Sequence, residues 1–126
     1  MRPADAACTI VGMPALPPVP RFDTFYRHEA LTRLLRDYAE AYPGLVELRS
    51  IGKSHEGRDI WLLVLTNRSS GEDADKPGFW VDGNIHAAEL TASTACLFWL
   101  HHLVSSYASD DGVTRLLDTR AAYIVP

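Results

Sequence analysis

The octapeptide Gly83-Asn84-Ile85-His86-Ala87-Ala88-Glu89-Leu90 joins a short apolar run, Phe79-Trp80-Val81, to a long apolar segment from Leu90 to Val104. A short apolar run of this kind reads as a buried strand, and the longer segment as a buried helix. His86 and Glu89 then stand at a corner where a strand ends and a helix starts. Two such side chains three residues apart can point at one metal ion, the His through a neutral imidazole nitrogen and the Glu through its carboxylate. That pair suits zinc, which in catalytic sites takes three protein ligands and keeps one open position. By spacing alone a His-x-x-Glu pair is common, and a lone His near a glycine turn is usually an ordinary loop residue. The flanking strand, the buried helix and the tight Gly83-Asn84 turn favour a positioned site.

Downstream of the corner, a helix is expected from about Ala88 to Tyr107, apolar almost all round and therefore covered by other structure. Asp110-Asp111-Gly112 reads as a turn and cap before a short helix through Leu116 and Leu117. Ala121 to Val125 follows as a fourth strand. Upstream, Leu31, Leu34, Leu35, Tyr38 and Tyr42 share one face of a helix from His28 to Tyr42, which Pro43-Gly44 stops. Val46 to Ile51 alternates as a half-exposed strand. Ser54 to Asp59 is a hairpin loop, and Ile60 to Leu65 reads as a strand buried on both faces. Residues 67–77 are a polar loop that contains an Asn67-Arg68-Ser69 glycosylation pattern. Pro14, Pro17, Pro18 and Pro20 mark residues 1–21 as an extended, proline-rich N-terminal arm. The expected architecture is α/β: a mixed sheet with helices on both faces, an antiparallel hairpin at one edge, and a right-handed parallel crossover from Phe79 to Val125. Ligands in such sheets bind beyond the carboxyl ends of the strands, where His86 and Glu89 lie.

A chain of 126 residues suffices for one domain with a real core, and 47% apolar residues fit a globular protein. A net charge of −4 argues against nucleic-acid binding. His101-His102 interrupts the longest apolar run, so no membrane span is expected. Arg2 is followed by no continuous apolar core; the expectation is no secretory signal and a cytoplasmic location. Cys8 and Cys96 are far apart and imply no disulfide framework. There is no Gly-rich phosphate loop and no Gly-x-Ser-x-Gly elbow. The long helix needs more apolar cover than four strands and one helix supply, so the chain reads as the N-terminal part of a larger α/β domain.

Asp82-Gly83-Asn84-Ile85-His86-Ala87-Ala88-Glu89 resembles the first zinc-ligand motif of the M14 zinc carboxypeptidases. Ile51 to Ile60, with Glu56-Gly57-Arg58, is similar to that family's hairpin between its first two strands. Phe25-Tyr26 through Leu45-Val46 is similar to its opening helix, and Asp118 to Pro126 to the strand leading into its Asn-Pro-Asp-Gly segment. The likeness runs in unbroken order from 22 to 126, which it marks as the N-terminal portion of a carboxypeptidase-like catalytic domain. It implies that His86 and Glu89 are the first two ligands of a Zn²⁺ ion. It also implies metal-assisted hydrolysis of a peptide substrate with a free C-terminus, removing one C-terminal residue.

In that family the third ligand, the general base and the groups that hold the substrate carboxylate come later in the chain, so no catalytic residue is assigned here. His101 and His102 are no substitutes. They lie more than three helical turns past Glu89, about 18 Å at 1.5 Å per residue. Ala88 stands where pancreatic-type members often carry an arginine, so no pancreatic-like subsite contact is implied there. The expectation is a metallocarboxypeptidase-like hydrolase, inactive as these residues alone. The alternatives are a non-catalytic pseudoenzyme or partner-binding module, and a related His-x-x-Glu zinc amidohydrolase. Oligomeric state is open.

Overall fold

The computed structural model describes residues 19–126; the first eighteen positions of the expected arm lie outside the described residues. The elements follow the expected order: α1 (His28–Ala41), β1 (Val46–Lys53), β2 (Asp59–Leu65), β3 (Gly78–Asp82), α2 (Leu90–Ser106), α3 (Asp111–Thr119) and β4 (Ala121–Val125). α1 turns Leu34, Leu35 and Tyr38 inward, and Pro43, which cannot donate to the helix, follows its end. β1 and β2 form an antiparallel hairpin with Val46 opposite Leu65 and Ser50 opposite Trp61. Gly57 takes φ 77° at the turn, a conformation that glycine adopts without a Cβ clash.

The sheet order is β1-β2-β4-β3, with β4 antiparallel to β2 and parallel to β3. Alternation along the strands puts Val46, Leu63, Leu65, Ala122 and Ile124 on one face. There they join Leu35, Tyr38, Leu97, Leu100 and Leu117 of the three helices in a single core. Each of its fully buried leucines contributes about 1.5–3 kcal/mol relative to exposure. The one hydroxyl among these ten side chains, on Tyr38, is hydrogen-bonded to His101 Nδ1 at 2.8 Å, so α1 and α2 are joined by a polar contact inside an apolar frame. Burial pushes the Tyr38 phenol well above its ordinary pKa. Cys96 is buried in α2, and burial likewise raises its thiol.

The opposite face is covered by the 67–77 segment, which is more ordered than a plain polar loop. It holds two 3-10 turns, Arg68–Ser70 and Asp73–Asp75. These are the only helical turns on that face among the described residues. Asp73 is only 7% exposed. It accepts hydrogen bonds from Arg49 at 2.9 and 3.1 Å and from the Tyr123 hydroxyl at 3.0 Å. Arg49 also grips Glu47, which pairs with Arg68. Lys76 Nζ donates to Thr66 Oγ1, Asn67 O and Ser70 Oγ at 2.7–2.9 Å. The Asn67 amide donates to Asp118 Oδ1 at 2.8 Å, so the nitrogen of the glycosylation pattern is already engaged within the fold.

Three burial expectations change. Among the described residues β3 is an edge strand, and Trp80 is 55% exposed rather than buried. β2 is buried from Leu62 to Leu65, yet Ile60 is 39% exposed, because the loop covers only part of the second face. α2 leaves a stripe of Thr91, Ala95, Phe98 and His102 uncovered.

The Arg49 guanidinium, and then the Tyr123 hydroxyl, hold the Asp73 carboxyl below the usual carboxylate range, against the opposing effect of burial. A depressed carboxylate stabilises the fold above its unfolded pKa of about 3.9 and loses that contribution as pH falls through the lower folded value. Arg49 keeps Glu47 and is over a third exposed, so the loss on Asp73→Asn stays below that of a fully buried pair, at about 1–3 kcal/mol. Urea unfolding at pH 7 measures it. The same variant is expected to lose part of the wild-type decline in stability below about pH 4.

Candidate functional site

The corner between β3 and α2 is anchored before it turns. Gly83 N–H donates to Val125 O at 2.8 Å, extending the parallel pairing by one residue. A Cβ on Gly83 would sit 2.8 Å from the carbonyl carbon and oxygen of Ala92, so only glycine lets the corner lie this close to the first turn of α2. Asn84 follows with φ 57°, in the left-handed region that Asn tolerates better than most residues. Glu89 N–H then donates to His86 O at 2.9 Å, and Ala92 N–H to Glu89 O at 3.0 Å.

Glu89 takes φ −92° and ψ 46°, outside helical values. α2 therefore starts at Leu90, two residues later than expected. The Glu89 side chain does not cap that helix. Its carboxylate instead meets His86, with Nδ1 to Oε1 at 3.0 Å. Both side chains face solvent, 78% and 52% exposed. The pair foreseen from the sequence is thus brought together. His101 and His102 are elsewhere: His101 bonds Tyr38, and the His102 ring stacks on Phe98 with centroids 6.2 Å apart. Among the described residues no group of three His, Cys, Asp or Glu side chains converges as metal ligands would.

Beside the corner, beyond the carboxyl ends of β3 and β4, lies a crevice of about 780 Å³. Asp82, Asn84 and Ile85 of the corner line it together with Ser54 and Arg58 of the hairpin, and Trp80 with Val125 contributes apolar surface. The Trp80 indole donates to Asp82 Oδ1 at 3.0 Å. Arg58 pairs with Glu56 at 2.6 Å, an exposed contact of little energetic weight. The sequence carried no signal for the hydroxyl of Ser93, which donates to Pro126 O and ties the first turn of α2 to the end of β4.

The Peptidase M14 family model, described as zinc carboxypeptidase, matches residues 31–126. The chain belongs to the zinc carboxypeptidase family. It is 34% identical over 112 residues to carboxypeptidase M of Mus musculus, covering 88% of this chain and 25% of that protein. Against the zinc carboxypeptidase of Saccharothrix mutabilis subsp. capreolus the identity is 33% over 98 residues, covering 78% of this chain and 22% of that protein. The crystal structure of carboxypeptidase A from Helicoverpa armigera superposes with a TM-score of 0.72 at 27% identity, over 84% of this chain and 25% of that one. The chain therefore spans about a quarter of the length of these relatives. Within the family's fold it supplies the hairpin, the corner and the crossover helix.

Gly83→Ala is expected to force the corner and α2 apart and so strain the Gly83–Val125 bond, since a backbone carbonyl cannot swing aside as a side chain tip can. The expected cost is about 1–3 kcal/mol in urea unfolding. Hydrogen exchange should show the amide at position 83 losing its protection.

Proposed function

We propose that this chain carries part of the metal site of a zinc-dependent carboxypeptidase, with His86 and Glu89 as two of the zinc ligands. The observation that carries this is the 3.0 Å approach of His86 Nδ1 to Glu89 Oε1 at the corner. Two donors on a tetrahedral zinc, each 2.0–2.1 Å from the ion, stand roughly 3.3 Å apart, so the pair fits one edge of that tetrahedron after a small adjustment. The donor chemistry fits too, a neutral nitrogen with one anionic oxygen. Bound zinc would polarise a peptide carbonyl and lower the pKa of a water. Within this chain, His86 and Glu89 orient the ion. The crevice beside them receives part of a peptide substrate with a free C-terminus. No third ligand, base or clamp for the substrate carboxylate is assigned within these 126 residues, which alone are expected to bind zinc weakly and to leave peptides uncut.

The relatives support peptidase chemistry over an amidohydrolase, since both named above are carboxypeptidases. A second reading, a non-catalytic module that holds a partner, is favoured by one observation: Trp80 is exposed on a strand that is unpaired along one edge among the described residues.

Zinc titration of the purified chain separates these readings. His86→Ala and Glu89→Ala are each expected to weaken binding by at least tenfold. Far-UV circular dichroism is expected to stay unchanged, because both side chains face solvent. Equal zinc affinity in all three proteins would refute the ligand assignment.

A further inference from the structure

We propose that Asn84 is a positioning residue for the His86–Glu89 pair: its left-handed backbone sets the direction in which the chain leaves Gly83, and so decides whether the two side chains converge. The inference deepens the zinc reading and, for its metal-binding part, rests on it.

Both ends of the corner are pinned. Gly83 is bonded to Val125 O and wedged against Ala92. Glu89 is held through its amide to His86 O and through its own carbonyl to Ala92 N–H. The chain must therefore reverse direction within a few residues. Asn84 is the residue of the corner with positive φ; the other non-glycine with positive φ among the described residues is Ala108, beyond α2. The Asn84 side chain is exposed and makes none of the hydrogen bonds found among the described residues. Its contribution is thus the backbone angle. Asn reaches that region because its short polar side chain tolerates it, whereas a β-branched residue there is an outlier. With such a residue the corner relaxes to negative φ, His86 swings off Glu89, and an ion binds only the fraction of molecules that returns to the competent geometry.

A rival role exists: Asn84 also lines the crevice, where its side-chain amide would serve as a ligand contact. Glycine separates the two roles: it keeps the backbone angle and deletes the amide. The experiment compares wild type, Asn84→Gly, Asn84→Ala and Asn84→Val by two readouts. The first is the nuclear Overhauser contact between the His86 ring and the Glu89 methylenes in metal-free protein. The second is zinc affinity by competition titration. The contact is expected in wild type and Asn84→Gly and is expected to be lost in Asn84→Val, with Asn84→Ala between them. Zinc affinity is expected to fall roughly tenfold in Asn84→Val and to be retained in Asn84→Gly.

A contact that persists in Asn84→Val, that is missing from wild type, or that is lost equally in Asn84→Gly would overturn the proposal. If Asn84→Val does not fold, Asn84→Ala against Asn84→Gly decides on the same criteria. If wild type keeps the contact and binds no zinc, the metal reading falls while the positioning role stands on the contact data.

Discussion

β4 is the member on which the other elements depend. It lies between β2 and β3, pairing Ile124 with Leu63 on one side and with Val81 on the other. The hairpin and the corner meet only through it within the sheet. Because its partner β3 is parallel, the chain must run through α2 and α3 before β4 can form, and that long loop costs closure entropy. What offsets the cost is burial: Ala121, Ala122 and Ile124 are fully covered, together with the leucines of α2 and α3 that cross above them.

Polar groups inside this frame are placed where they hold elements together. Tyr38 and His101 bridge the two longest helices, and among the described residues no buried side-chain polar atom lacks a partner. On the other face Asp73 reaches from the loop to the sheet, where Arg49 and the Tyr123 hydroxyl donate to its carboxylate. Leaving such a carboxylate without its partners would cost more than the bonds themselves contribute, so the network fixes the loop's position by the penalty of disrupting it. The Lys76 ammonium does the same between the 66–70 segment and Leu117.

The candidate site combines an anchored backbone with exposed side chains. Gly83 is held to β4 and α2 at once, while the His86 and Glu89 side chains project into solvent. On the zinc reading proposed above, two metal donors would gain from this arrangement. The backbone restricts where the donors can be, and the open side leaves room for further ligands. The crevice beside them carries exposed Trp80 and Ile60.

Much of this was legible in the sequence. Periodicity marked α1 and β1, and apolar runs marked β2, β3 and α2, because a face or an element that must be buried is apolar at the spacing its geometry sets. The two 3-10 turns of the 67–77 segment carried no such pattern. The Gly-Asn turn and the His-x-x-Glu spacing marked the corner, and the likeness to the zinc carboxypeptidases ran through it. Asp110-Asp111-Gly112 read as a turn and cap, and the Asp110 carboxylate does accept from Val113 N–H. What a linear pattern cannot carry is which surfaces meet. Trp80 and Phe98 read as buried because they are apolar, but their exposure depends on what lies opposite them. Asp73 read as loop because it is charged, but its burial depends on Arg49 and Tyr123 arriving from distant strands. Local composition and spacing, which act between near neighbours in the chain, determined the elements and the two candidate ligands. The packing of Gly83 on Ala92 and the cover over each face were decided only by the tertiary structure, because each depends on groups from different elements; the 3.0 Å meeting of His86 with Glu89 depends on the path of a corner whose ends are fixed by β4 and α2.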